Sequence, residues 1–175
     1  LKYRLLKKKN WLVLLQQLAR RATIRHRMSN FIGSALPKTM PAVMCRGPQD
    51  YRLEEYPVPQ PGPEEVVVRV KQVGICASDL KCYLGAALFW GDAHREGYCQ
   101  APVIPGHEFV GEVVALGQGA TEKYGLQLGD HAISEQIVPC WKCRYCQRGQ
   151  YWMCQDGDVY GFRRQAFGAM AEYML

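Results

Sequence analysis

Four cysteines, Cys140, Cys143, Cys146 and Cys154, stand within fifteen residues in the pattern C-x2-C-x2-C-x7-C, and nothing else in this sequence limits its folding so tightly. Thiols at successive three-residue steps leave several competing disulfide pairings, and no secretory signal supports an oxidising compartment. Four thiolates can instead surround one Zn²⁺ tetrahedrally at about 2.3 Å each. The intervening Pro139, Lys142, Arg144, Gln147, Arg148 and Gly149 suit an exposed loop, and its Lys and Arg side chains favour the thiolate form. Zinc is therefore the expected occupant, with a disulfide pair or a redox C-x2-C as the alternative. Structural zinc contributes about 10–16 kcal/mol in such loops, so this lobe is expected to lose its structure without metal.

Around the lobe the pattern is that of short strands and turns. Ala42–Cys45 is apolar, and Pro57, Pro59, Pro61 and Pro63 form a stiff connector that cannot lie inside a sheet. Glu65–Val73 alternates, with Val66, Val68 and Val70 on one side and Val67, Arg69 and Lys71 on the other, which predicts a strand with one face buried. Val110–Leu116, His131–Ser134 and Gly168–Leu175 read as further strands. Ser78–Leu84 reads as a short helix, with Ser78 as N-cap, Asp79 in the first turn and Gly85 past its end. The fold class expected is mainly β, a small barrel or sandwich.

Charge divides the chain. Residues 1–49 hold eleven of the 22 Lys and Arg and none of the 16 acids, so the rest is net −5 although the whole is net +6. A uniformly basic nucleic-acid-binding domain is excluded by this asymmetry. The basic head has three readings. It resembles a transit peptide in its many arginines and lack of acids. A membrane-surface helix would use Lys7–Lys9 and Trp11. The third, and the expected one, is that translation begins at Met28, the first methionine, and that the preceding residues are not part of the functional protein. No run approaches the roughly 18 apolar residues of a membrane span.

Cys76 stands alone in VGICASDLK, where a strand gives way to a helix, and His107–Glu108 follows thirty-one residues later in PGHEFVGEVVALG. A Cys, a His and a Glu brought together would form a three-ligand zinc site with an open position, the catalytic arrangement. Taken singly, Cys76 could equally be a buried thiol and His107–Glu108 a surface pair in a turn. Cys45, Cys82 and Cys99 have no assigned role and are expected to be free thiols. GQGATE, at residues 117–122, lacks a third glycine and reads as a turn rather than a dinucleotide fingerprint.

GICASD, PGHEFVGEVVALG, LGD, the four-cysteine lobe VPCWKCRYCQRGQYWMC and GAMAEYM occur here in one order, over residues 40–175. In them the chain resembles the N-terminal catalytic domain of the zinc-dependent medium-chain alcohol dehydrogenases. The resemblance implies a GroES-like β-barrel with short helices and an inserted zinc lobe at residues 137–155, preceded by an extension at residues 1–39. It implies Cys76, His107 and Glu108 at a catalytic zinc, and Cys140, Cys143, Cys146 and Cys154 at a structural zinc. Ser78 would hydrogen-bond the substrate alcohol and relay its proton, and Asp79 would orient the ligand histidine. Lys81 stands where many relatives carry a relay histidine, and would pass the proton onward. The resemblance further implies NAD or NADP bound by a Rossmann domain, which this chain lacks, so that the chain by itself should not turn over. It implies a cytoplasmic homo-oligomer, a tetramer at full length, acting on a small alcohol and on neither nucleic acid nor membrane. FWGD and the lobe are most similar to polyol dehydrogenases of erythritol and threitol, with L-threonine 3-dehydrogenase as the sibling reading and a non-catalytic zinc module as the alternative. Tyr83, Phe89 and Trp90 are candidate pocket residues, with core or surface packing as the alternative.

Overall fold

The computed structural model describes residues 36–175, and the expectations for residues 1–27 lie outside it. The described residues open with β1 (Thr39–Gly47) and β2 (Asp50–Pro57), an antiparallel hairpin. Its turn has Pro48 at the first central position, where the ring pre-sets φ, and Gln49 at the second in the left-handed region, φ 57°. Alternate residues of β1 (Met40, Ala42 and Met44) point into the main hydrophobic cluster, which Val58, Val67, Ile104 and Tyr173 complete.

The larger sheet is wholly antiparallel and has the order β10–β3–β6–β7. Its members are β3 (Val66–Val73), β6 (Phe109–Leu116), β7 (His131–Ala132) and β10 (Tyr173–Met174). The hairpin joins it through an Ala42–Ala171 bridge and the bond from Val43 N–H to the Met170 carbonyl. Two short pairs complete the strands, β4 (Gly91–Asp92) with β5 (Arg95–Glu96) and β8 (Ile137–Val138) with β9 (Asp158–Val159). The described α-helices are short: α1 (Ala77–Tyr83), α2 (Ala87–Trp90), α3 (Ala120–Tyr124) and α4 (Arg144–Gln147). No described helix is long and apolar enough to cross a membrane. The mainly β architecture matches the expectation, and GQGATE is a turn at Gly117–Gly119 that runs into α3 without flanking parallel strands.

The expectation of a single buried face on β3 is corrected. Val67 is fully buried in the main cluster, while its neighbour Val68 is buried in a second cluster with Ala169 and Met174. The register of β3 against β6 shifts between Val67 and Val68, a bulge that sends successive side chains into cores on both sides. Beyond the bulge the outer face turns polar, and Glu112 accepts from both Arg69 and Lys71 at 2.9 Å.

Gly111, opposite Val70, marks a close approach of β6 to β3. A Cβ there would overlap Val68 Cγ1 and lie 2.6 Å from the Arg69 carbonyl oxygen, which no rotamer change can relieve. Gly111→Ala is expected to lower stability by about 1–3 kcal/mol through overpacking, read as a lower midpoint in denaturant unfolding at unchanged m-value.

Candidate metal centres

The β3–β6 pairing explains how residues far apart in sequence meet. Val73 at the end of β3 lies opposite Phe109 at the start of β6, so Cys76 and His107, just beyond those ends, come to the same edge of the sheet. The Gly74 N–H donates to the Glu108 carbonyl at 2.7 Å and ties the two connections together. The ligand atoms of Cys76, His107 and Glu108 all lie within 4.8 Å of one another. His107 is buried, Cys76 half-buried and Glu108 exposed, which leaves an open side.

The start of α1 differs from the expectation. Cys76, not Ser78, is the N-cap, and Asp79 sits at the third helical position with its carboxylate accepting the Cys76 N–H at 2.8 Å. Satisfying that orphan amide fixes the Cys76 backbone. The other Asp79 oxygen, Oδ1, faces His107 Nδ1 at 3.5 Å. Both atoms are buried and have no other partner, so the pair is a charge contact just outside good hydrogen-bond geometry. Asp79 lifts the His107 pKa to about 9 against the opposing effect of burial, with Cys76 adding to the rise. Nε2, the other ring nitrogen, lies 3.2 Å from Ser78 Oγ. The Cys76 thiol is held below its ordinary range, first by Ser78 and then by His107. The ring face of His107 packs on Phe162, with centroids 5.3 Å apart. A histidine oriented by a carboxylate, beside a thiol biased to thiolate and an exposed carboxylate, is a donor set that suits zinc with an open position.

A cleft of about 270 Å³ opens beside His107 and Glu108, and its far wall is Ile133, Ser134, Glu135 and Gln136. This wall was missed in the sequence, where Ile133 and Ser134 read as the end of a strand that in the structure stops at Ala132. Tyr83, Phe89 and Trp90 do not line it. Phe89 is buried against Cys82 and Phe162, Trp90 donates its indole N–H to the Cys82 carbonyl at 2.6 Å, and Tyr83 packs edge-on to Tyr51. Lys81 is exposed on α1, where its carbonyl accepts the Ala86 N–H.

The four lobe cysteines also converge within 4.8 Å. Cys143 Sγ lies 3.6 Å from Cys146 Sγ and 3.9 Å from Cys154 Sγ. Four sulfurs held tetrahedrally about 2.3 Å from one zinc would stand about 3.8 Å apart, far beyond the ~2.05 Å of a disulfide. The backbone prepares the site. Trp141 takes a left-handed conformation, φ 58°, and the Lys142 and Cys143 amides turn onto the Cys140 sulfur and lower its pKa. Amides of Cys146 and Gln155 bring Cys143 down to about 6, while burial pushes Cys146 up to about 12. A divalent cation is what would allow all four to ionise together.

Residues 62–175 match the model of the alcohol dehydrogenase GroES-like domain. The chain belongs to that family. This GroES-like domain is 58% identical over 144 residues to the erythritol/L-threitol dehydrogenase of Mycolicibacterium smegmatis, covering 82% of this chain and 40% of that protein. It is 37% identical over 141 residues to the L-threonine 3-dehydrogenase of Pyrococcus abyssi, covering 81% of this chain and 36% of that one. In structure it resembles the alcohol dehydrogenase of Thermus sp. ATN1, with a TM-score of 0.62, 34% identity, and coverage of 77% and 36%. The chain thus spans about 40% of the length of these curated relatives.

Proposed function

We propose that this GroES-like domain is the catalytic part of a zinc-dependent, NAD(P)-linked dehydrogenase that oxidises a secondary alcohol of a small polyol, of the erythritol or threitol kind, to a ketone. The observation that carries the reading is the meeting of Cys76, His107 and Glu108 at the edge of an open cleft. In this reading they hold the catalytic zinc, and Cys140, Cys143, Cys146 and Cys154 hold the structural one. Support for the substrate class comes from the erythritol/L-threitol dehydrogenase relative and from the cleft wall, where Ser134, Glu135 and Gln136 offer hydrogen-bonding groups suited to a molecule with several hydroxyls.

Bound zinc supplies Lewis acidity that favours the deprotonated alcohol near neutral pH. The protein does the rest with its own groups. Asp79 holds the His107 ring through Nδ1 and so aims Nε2 at the open side. Phe162 fixes the plane of that ring. The Ser78 hydroxyl, beside Nε2, takes the alcohol proton as it gives up its own toward solvent; Lys81, on the exposed side of α1, would relay it by first releasing one ammonium proton to water. A nicotinamide, held by a part of the enzyme outside this domain, would supply the hydride acceptor.

The test is a chimaera in which this domain replaces the matching part of the M. smegmatis relative, assayed with NAD and NADP. Faster oxidation of erythritol or L-threitol than of L-threonine is expected. Preference for L-threonine would favour the second reading, which rests on the 37% identity to the P. abyssi enzyme. Inactivity toward both, with a single zinc per chain, would favour a non-catalytic module.

Asp79→Asn separates positioning from ligation. The amide keeps an oxygen to accept the Cys76 N–H but loses the charge that faces His107. Zinc affinity at the Cys76–His107–Glu108 site is expected to fall about 10–100-fold in chelator competition, with the lobe zinc unaffected. Equal affinities in variant and wild type would remove Asp79 from this role.

A further inference from the structure

The zinc lobe and the cleft share a boundary. Residues 133–136, the far wall of the cleft, run from the β6–β7 pairing at Ala132 to the base of the lobe at Ile137. The chain leaving the lobe returns to the same wall. Ile137 pairs with Val159, and the Tyr160 N–H donates to the Gln136 carbonyl at 3.1 Å. The Tyr160 ring meets Phe109, another cleft residue, edge-on with centroids 6.2 Å apart. One further contact comes from inside the lobe. The Tyr151 hydroxyl donates to Glu135 Oε2 at 3.3 Å, across sixteen residues of chain.

Tyr151 is tied to the four-cysteine site. It begins the 3-10 turn Tyr151–Met153, and its carbonyl accepts the Cys154 N–H at 2.9 Å. Cys154 Sγ in turn accepts the Cys140 N–H at 3.3 Å. The Tyr151 ring packs with those of Trp141 and Trp152, at centroid distances of 6.3 and 5.4 Å. At the other end, Glu135 Oε1 accepts the Gln136 N–H at 3.2 Å. Each carboxylate oxygen thus has one neutral donor. A carboxylate has about four lone-pair sites, so acceptor capacity is left for a molecule in the cleft.

We propose that Tyr151 is a positioning residue, which braces Glu135 so that its carboxylate accepts a hydroxyl of the polyol and so makes the zinc lobe part of the substrate site. The inference rests on the polyol reading given above. A glutamate left to rotate has to be ordered by each substrate molecule that binds, and here the tyrosine and the Gln136 amide order it beforehand. A carboxylate accepts and does not donate, which matches a ligand that presents several O–H groups.

The test uses the zinc-loaded protein with meso-erythritol as probe, read as hydrogen exchange of residues 133–137. Erythritol is expected to slow exchange there in the wild type. Tyr151→Phe should need about 3–10 times more erythritol for the same protection, the loss expected for one hydrogen bond. Glu135→Ala should shift the midpoint at least as far, and adding Tyr151→Phe to it should shift it no further, because the hydroxyl acts through the carboxylate. Zinc should stay at two per chain throughout. In the chimaera, Tyr151→Phe should raise KM for erythritol by the same factor and leave kcat within about twofold. No protection of residues 133–137 in the wild type, an unshifted midpoint in Tyr151→Phe, a further shift in the double variant, or loss of the lobe zinc from Tyr151→Phe overturns the proposal. A chimaera that does not oxidise erythritol, with the protection and its shift intact, sinks the dehydrogenase reading and leaves the brace standing.

Discussion

Cys146→Ser is expected to remove one of two zinc ions from the chain and, with it, the structure of the lobe. The lobe has almost no apolar interior to fall back on. Its large apolar side chains Trp141, Trp152 and Met153 are exposed by 56%, 61% and 49%, and none of its residues belongs to the buried members of the three core clusters. What closes it is β8 against β9 at its base and the four sulfurs at its centre. Cys146 is the buried sulfur of the four, and burial raises its thiol, so its ionisation depends most on the metal. Structural zinc contributes about 10–16 kcal/mol, a sum that the short helix α4 and one 3-10 turn cannot replace. Zinc per chain should fall from two to one. Trypsin should then cut after Lys142, Arg144 or Arg148 while the β3–β6 sheet stays protected. Two retained zinc ions with a protease-resistant lobe would show that these cysteines do not hold the metal. Treating the wild type with a strong chelator should reproduce the lobe phenotype and add loss of the second zinc.

The lobe was legible because its four candidate ligands fit within fifteen residues, so spacing alone carries the geometry. Cys76 and His107 are thirty-one residues apart, and only the resemblance pairs them before the β3–β6 register explains why they meet. Moving the N-cap from Ser78 to Cys76 was not readable, since Ser, with its side-chain oxygen, is the better cap by type. The deciding term is Asp79, whose carboxylate reaches back to the Cys76 amide. Residues 133–136 carry no ligand or site spacing, two of them reading only as the end of a strand, and they reach the cleft because Ala132 pairs with Gly111. Cys82 and Cys99 lie 17 residues apart, with no local pattern to join them, and tertiary packing alone brings both to the Phe89–Phe162 cluster.

Ser78→Ala is the sharpest test of the proton path, because its largest effect should fall on chemistry, with only a small effect on Cys76 and His107, which the hydroxyl also touches. The position is half-buried in the first turn of α1, and its hydroxyl lies 3.2 Å from His107 Nε2. Alanine is the better helix former by about 0.5 kcal/mol or less, so the helix is not weakened. Cys76, His107 and Glu108 keep their places, so zinc content should remain at two per chain. A positioned proton-transfer group contributes about 10²–10⁴-fold to rate, which corresponds to about 2.7–5.5 kcal/mol of barrier. In the chimaeric dehydrogenase kcat should fall by that factor with KM changed much less, since the hydroxyl acts where the proton moves. Ser78→Thr, which restores a hydroxyl at the same place, should recover most of the lost rate. The pair of variants separates the two roles the hydroxyl could have. If it only holds the His107 ring, loss of Ser78 should loosen zinc before it slows chemistry. If it carries the proton, the rate falls while the metal stays. Unchanged kcat in Ser78→Ala would send the proton by another route and leave Lys81 without a donor on α1.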